Sequence, residues 1–207
     1  MSTPWLDIPL EDYERHMSLP GIGQAQMLAA QFEVALERWR PTSVAVVGCA
    51  GGNGLDRIDG RSVERLVAID VNPDYVESTR ARHSGRIPSL ESICADVQSE
   101  SLTYEPVDFT YAALLFEYVD VRATLRTLKR NSRSGAVMTT VLQLPQSTIA
   151  AVSPSPYKSL GALAGVMRLV APDALCRDAA DVGFAVLDSA TVELASGKQF
   201  CMQNFRA

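Results

Sequence analysis

One stretch constrains this chain more than any other. Val44-Ala45-Val46-Val47 runs into the small-residue turn Gly48-Cys49-Ala50-Gly51-Gly52-Asn53-Gly54 and is answered by Val67-Ala68-Ile69-Asp70, followed by Val71-Asn72-Pro73. The pattern reads as strand, glycine turn and second strand ending in a carboxylate. Glycines belong at such a turn because side chains would hold the backbone away from a ligand and because several positions there call for positive φ. An acid about twenty positions beyond the first glycine stands where ribose hydroxyls are gripped in nucleotide sites.

Spacing narrows the ligand. Tested against G-x-G-x-x-G, a pattern begun at Gly48 meets Ala50, one begun at Gly51 meets Asn53, and one begun at Gly52 passes Gly54 but meets Arg57. The pyrophosphate fingerprint of dinucleotide sites is therefore absent. A triphosphate loop fails as well, since Asn53 stands where G-x-x-x-x-G-K-[ST] needs its second glycine and no lysine follows. The remaining candidates are ligands with a ribose and few or no phosphates.

The order of segments from about Val44 to the C-terminus resembles the class I S-adenosylmethionine-dependent methyltransferases. Gly48-Cys-Ala-Gly-Gly52 resembles that family's first motif, and Ala68-Ile-Asp70-Val-Asn72-Pro73 its second strand and acidic loop. Cys94-Ala-Asp96-Val97 resembles the acid after the third strand, and Val107 to Val119 the fourth strand with the segment just beyond its end. Val46 stands where the family often has an acid, and Ala50 where a second glycine is common. The resemblance implies an α/β, three-layer Rossmann-like sandwich: a mostly parallel seven-stranded sheet with one antiparallel strand in a C-terminal hairpin and helices on both faces. It also implies S-adenosylmethionine as cofactor. Gly48, Cys49, Ala50 and Gly52 would pass beneath its methionyl part and ribose, and Asp70 would accept from the ribose hydroxyls. Val71 or Asn72 would flank the adenine, Asp96 would accept from its amino group, and Val97 would offer a backbone donor. Ala112 and Ala113 would present carbonyls to the methionyl ammonium. Glu117, just after the fourth strand, is the candidate general base. Tyr13 and His16 belong to an N-terminal lid over cofactor or acceptor.

Each of these residues has a plainer reading that the sequence leaves open. Asp70 before Asn-Pro and Asp96 before Val97–Leu102 both suit capping. Ala112 and Ala113 suit a crowded strand end, Glu117 a solvated loop, and His16 an ordinary surface position. His83 reads as structural at a helix C-terminus, and Tyr157 as a packing residue.

Elsewhere, Ala25, Leu28, Phe32, Ala35, Leu36 and Trp39 recur at helical period before Pro41, and Asn72-Pro73 opens a second helix that Ser84-Gly85 closes. Strands are expected at Leu90–Cys94, Val107–Ala112 and Ala136–Leu142, with a helix at Asp120–Arg130 between the last two. Ser153-Pro-Ser-Pro156 introduces an apolar helix near Tyr157–Val170, and Pro172 opens another that Gly183 ends. Phe184–Leu194 and Lys198–Phe205 should pair around Ala195-Ser196-Gly197 as a hairpin. One methyltransferase-like domain over 1–207 results, with a lid and helix at 1–40, a cofactor core at 44–142 and C-terminal helices and hairpin at 143–207.

Composition bounds the partners. A net charge of −5 without a basic block argues against nucleic acid, whose affinity comes mostly from cations on phosphates, and favours a small-molecule acceptor. Four scattered cysteines make no C-x-x-C pair, and no metal-ligand cluster stands out, so neither a metal nor a disulfide framework is expected. No apolar run is long enough to cross a membrane, and the expected setting is the cytoplasm. Oligomeric state stays open. Two function classes fit: an enzyme methylating a small acceptor, or a non-catalytic S-adenosylmethionine-binding module or sensor. A nicotinamide-dependent oxidoreductase is a third and weaker reading.

Overall fold

The computed structural model describes residues 3–58, 62–146 and 149–207. Positions 1 and 2 of the expected lid segment lie outside them. Seven strands, β1 (Ser43–Val47), β2 (Arg65–Asp70), β3 (Ser89–Cys94), β4 (Val107–Ala113), β5 (Ser132–Gln143), β6 (Ala185–Glu193) and β7 (Gln199–Arg206), form one sheet in the order β3-β2-β1-β4-β5-β7-β6. The first five strands pair in parallel, whereas β7 runs antiparallel to both β5 and β6. Gly197, at φ 81°, turns the chain between β6 and β7 as the hairpin requires.

The alternation along β1 shows how both faces are covered. Val44 and Val46 point to the face packed by α2 (Gln24–Trp39) through Leu28, Phe32 and Ala35, with Phe109, Tyr111 and Val141 beside them. Ala45 and Val47 point to the opposite face, where α4 (Val121–Arg130) and α5 (Pro172–Asp181) contribute Leu125, Leu128, Leu175 and Ala179. A central parallel strand buried on both sides has to be apolar at every position, which is why no polar residue interrupts Val44–Val47. Val46 fills core volume beneath α2.

Local chemistry sets the boundaries. Asn72 Oδ1 accepts from Asp74 N at 2.9 Å and Pro73 begins α3 (Pro73–His83), while Asp120 Oδ1 accepts from Ala123 N at 2.8 Å to start α4. Gly183, at φ 89°, ends the chain's turn out of α5. One expected element is different: Tyr157–Val170 is not an α-helix. Only Lys158–Gly165 coils, as 3-10 turns, and the segment beyond is irregular. Gly161 and Gly165, four apart, weaken helix propagation, and Leu160 and Leu163 instead pack with Ile8 and Tyr157 in a small separate core. Tyr157 is therefore a packing residue.

The crossover from β1 to β2 also has a particular form. Its only described helical piece is the 3-10 turn Leu55–Arg57, so no α-helix among the described residues starts behind the glycine turn. A helix N-terminus at that place is what supplies amide donors and a favourable dipole to a pyrophosphate. The described residues make no such provision.

Candidate functional site

The sheet order reverses between β1 and β4, and ligands in open α/β sheets lie outside the carboxyl ends of the strands at such a point. A cavity of about 780 Å³, counted out to its open mouth, occupies that place. Its walls come from the ends of four strands: Val47, Gly48 and Ala50 after β1; Ile69, Asp70 and Val71 at β2; Asp96 and Val97 after β3; Ala113 to Leu115 after β4.

Asp70 is the polar centre of this wall. Its residue is 9% exposed, Oδ2 accepts from Ala50 N at 2.9 Å, and Oδ1 accepts from Asn72 N at 3.0 Å. Burial raises its pKa, and backbone donors from Asn72, Ala50 and Val71 oppose that rise. The carboxylate still has acceptor capacity, because an ionised carboxylate offers about four lone-pair directions and the backbone donors leave at least one open. The bond from Ala50 also explains the backbone there. Ala50 sits at φ 46°, a left-handed conformation costing an L-residue about 1–2 kcal/mol. Its N–H is fixed by Asp70, and its carbonyl accepts from Thr79 Oγ1 at 2.7 Å. Gly48, at φ 72°, leaves the ligand side clear; a Cβ there would meet Leu115 Cδ1 at 3.4 Å.

Asp96 follows β3 on the same wall. Oδ1 accepts from Gln98 N at 2.9 Å, closing a turn rather than a helix, and the residue also lines the cavity beside Val97. Among the described residues, Asp70 and Asp96 are the only charged side chains on the lining, with no lysine or arginine. Such a wall repels phosphates and suits a neutral or cationic ligand.

Several expected residues face elsewhere. Cys49 is buried in the core, with Sγ 3.8 Å from Thr79 Oγ1. Gly52 is needed against His83: a Cβ there would lie 2.7 Å from His83 Nε2, at a φ of 85°. Asn72 caps α3, and its Nδ2 donates to Trp5 O at 2.8 Å, so it holds the N-terminal segment rather than a ligand. Ala112 lies inside the sheet opposite Val47 and Thr140, and only Ala113 reaches the cavity. Glu117 is neither a solvated loop residue nor on the lining of a cavity. It is 1% exposed, with Oε1 accepting from Gln143 N at 2.8 Å and Oε2 without a partner among the described residues. Burial raises its pKa to about 7.

The N-terminal segment closes over the cavity. The 3-10 turn Pro4–Asp7 and α1 (Leu10–Met17) carry Trp5 and Tyr13 onto it. Trp5 meets Tyr13 and Tyr118 edge-on, at centroid distances of 5.5 and 5.0 Å. Tyr75 Oη donates to Ile8 O at 2.9 Å, Arg82 bridges Glu14 and the Gly51 carbonyl, and Ser159 Oγ donates to Asp12 Oδ2 at 2.6 Å. Trp5, Tyr13, Leu114 and Tyr118 are shared with a second cavity of about 530 Å³ that begins behind them. His16 lines only that second cavity, with Gln24, Gln143 and Lys198. Burial and the charge of Lys198 lower the pKa of His16, which keeps its imidazole neutral near pH 7.

Sequence reasoning missed Trp5, Tyr75, Leu114, Tyr118, Gln24, Gln143 and Lys198. Only Tyr118 carried a signal, its position directly after the candidate base. Leu114, at φ 51°, holds a strained conformation at the strand end, a feature common at functional sites and invisible in sequence.

Residues 45–140 match the family model described as a methyltransferase domain. Over that segment, a little under half of the chain, the protein is similar to methyltransferase domains. Solved structures agree in fold. The N-methyltransferase NodS of Bradyrhizobium japonicum WM9, in complex with S-adenosyl-L-homocysteine, is 14% identical over 90% of this chain and 87% of its own, with a TM-score of 0.68. An S-adenosylmethionine-dependent methyltransferase of Mesorhizobium loti is 17% identical over 84% of this chain and 96% of its own, with a TM-score of 0.64. The [4+2]-cyclase SpnF is similar too, at 13% identity over 86% and 80% and a TM-score of 0.66, so the shared fold by itself does not name a reaction. No curated protein matches the chain in sequence. No helix among the described residues is long and apolar enough to cross a membrane, and none of their His, Cys, Asp and Glu side chains cluster to hold a metal.

Proposed function

We propose that this chain is a class I S-adenosylmethionine-dependent methyltransferase, one domain over 1–207, which binds S-adenosylmethionine in the first cavity and methylates a small organic acceptor in the second. The observation that carries this reading is the Asp70 wall: a buried carboxylate with open acceptor capacity above a bared backbone, in a cavity that the described residues line with two acids and no cation. A sulfonium ligand with one ribose and no phosphate fits that donor and charge set, and a dinucleotide does not. Bound there, the cofactor supplies an activated methyl group for in-line displacement.

The protein's own contribution is placement. Gly48 and Ala50 give backbone access, Asp70 takes the ribose hydroxyls, and Asp96 and Val97 meet the base edge. Ala113 offers a carbonyl to the methionyl ammonium. Trp5, Tyr13 and Tyr118 stand between the cavities, where they exclude water and hold acceptor against cofactor. Neutral His16, whose Nδ1 has no partner among the described residues, faces the acceptor space and is the group placed to take a proton from it. Glu117, behind the cavity wall, is not so placed. The setting is a reducing one such as cytoplasm, in keeping with four free cysteines.

Isothermal titration with S-adenosylmethionine, S-adenosylhomocysteine and a nicotinamide dinucleotide tests the cofactor. Binding of the first two alone is the expected outcome, and binding of the dinucleotide alone would reverse the reading. Release of S-adenosylhomocysteine during incubation with a metabolite extract separates an enzyme from a cofactor-binding sensor.

A further inference from the structure

The second cavity contains one charged group to which neither cofactor binding nor proton transfer gives a role. Lys198 stands just before β7 and is 4% exposed, yet no carboxylate among the described residues pairs with it. Its Nζ donates to Ala151 O at 2.7 Å and to the Gln143 side-chain Oε1 at 3.3 Å, two neutral acceptors, which leaves its third N–H unassigned. Glu117 is tied to the same Gln143, its Oε1 accepting from the backbone N–H, and its partnerless Oε2 makes no ion pair with Lys198. A buried, uncompensated ammonium is costly, and proteins rarely keep one without a partner for it. Burial lowers its pKa to about 8, so it remains charged near neutrality.

The neighbours of Lys198 point the same way. His16 and Gln24 line the cavity, are 7% and 6% exposed, and make no side-chain hydrogen bond to the described residues. Buried polar side chains are nearly always satisfied, so two beside an unpaired cation mark a place for a polar ligand. Most of the remaining wall is apolar or aromatic, including Trp5, Met17, Leu160, Leu163 and Met167, with Ser153 as a further polar side chain. Among the described residues no acid lines it. The cavity thus combines a cation and amides with extensive apolar surface.

We infer that the acceptor is an amphipathic organic acid, its carboxylate paired with Lys198 and hydrogen-bonded by Gln24, its apolar body lying against Trp5, Leu160, Leu163 and Met167. The inference rests on the methyltransferase reading of the two cavities and adds the class of acceptor. One cation and neutral amides match a singly charged group; a phosphate monoester would call for more positive charge than the wall supplies.

The test uses the full chain saturated with S-adenosylhomocysteine. Benzoate, phenylacetate and hexanoate are titrated calorimetrically, each against its primary amide, with phenyl phosphate alongside. The expected result is that at least one acid binds about tenfold or more tightly than its amide, as loss of a charge-assisted bond predicts. Lys198→Met should erase that preference while leaving the affinity for S-adenosylhomocysteine unchanged. Thermal melting of Lys198→Met and Lys198→Gln checks that both variants fold. Equal binding of every acid and amide, a preference surviving in both variants, or tighter binding of phenyl phosphate than of any acid would overturn the proposal. So would a roughly tenfold loss of S-adenosylhomocysteine affinity in Lys198→Met, which would give the lysine to the cofactor's own carboxylate. Should the wild type not bind S-adenosylhomocysteine, the cofactor reading falls, and the same acid and amide titrations on the unloaded chain still decide the role of Lys198.

Discussion

The two cavities share a wall of Trp5, Tyr13, Leu114 and Tyr118 but are built by different means. The first is made by strand ends, and its key carboxylate is pinned by backbone N–H groups of adjacent turns. The second is assembled from α1, the start of α2, the end of β5, the 3-10 segment and the β6–β7 hairpin, with a lysine as the only charge among its described residues. On the proposed reading, cofactor geometry is carried by the strand ends of the sheet, whereas acceptor choice is carried by peripheral pieces. A scaffold that serves many acceptors needs that division.

The largest effect should come from Glu117, at the boundary between the two regions. The folded protein holds this proton up to about 7, against an ordinary value of 4.5 in the unfolded chain. Between those values the folded state binds more protons, so stability falls as pH rises through this window, by about 3 kcal/mol in total. Glu117→Gln keeps an Oε1 acceptor for Gln143 N and has no charge to bury. Urea unfolding should show it about 2–3 kcal/mol more stable than wild type at pH 8, with the difference gone near pH 4. Equal pH slopes in the two proteins would mean that Glu117 ionises freely.

Next is Asp70→Ala, which strikes the first cavity alone. Loss of the ribose acceptor should weaken S-adenosylhomocysteine binding by about 1–3 kcal/mol in calorimetry. Binding of carboxylates at Lys198 should be unaffected, and a parallel loss there would show that the cavities are not separate. Asn72→Ala removes both a helix cap and the tie to Trp5 O, costing about 1 kcal/mol of stability and speeding hydrogen exchange in 4–17. Unchanged exchange would detach the lid from α3. The smallest effect is expected for Ala50→Gly. Relief of the left-handed alanine, about 1–2 kcal/mol, is largely offset by the greater freedom of glycine in the unfolded chain, about 0.4–1 kcal/mol, so stability should rise by no more than about 1 kcal/mol with cofactor affinity kept. A large loss of affinity would mean that the methyl group itself touches the ligand.

The same division explains how far the sequence discloses the site. The first cavity is written in contiguous segments, because a strand, its glycine turn and a terminal acid are fixed by local geometry; Gly48, Ala50, Asp70, Val71, Asp96, Val97 and Ala113 all reach its wall. Cys49, Gly52, Asn72 and Ala112 belong to those segments but alternate away from the cavity, into core, helix cap and sheet. Glu117 reads as polar after a strand, and only the three-dimensional packing shows that it is buried. Lys198 is a solitary lysine beside a turn, and its burial depends on Gln143 and Ala151 some fifty positions away. The failed helix at Tyr157–Val170 has the same cause: its apolar side chains serve a small core with Ile8 that no local pattern announces.

The most direct measurement is a crystal structure with bound S-adenosylhomocysteine. The ribose hydroxyls are expected within hydrogen-bond distance of Asp70, the adenine between Val71 and Val97, and the sulfur toward Tyr13 and Tyr118 with the Lys198 cavity beyond it. An adenosyl group bound away from Asp70, or a sulfur facing away from that second cavity, would contradict the assignment of the two cavities.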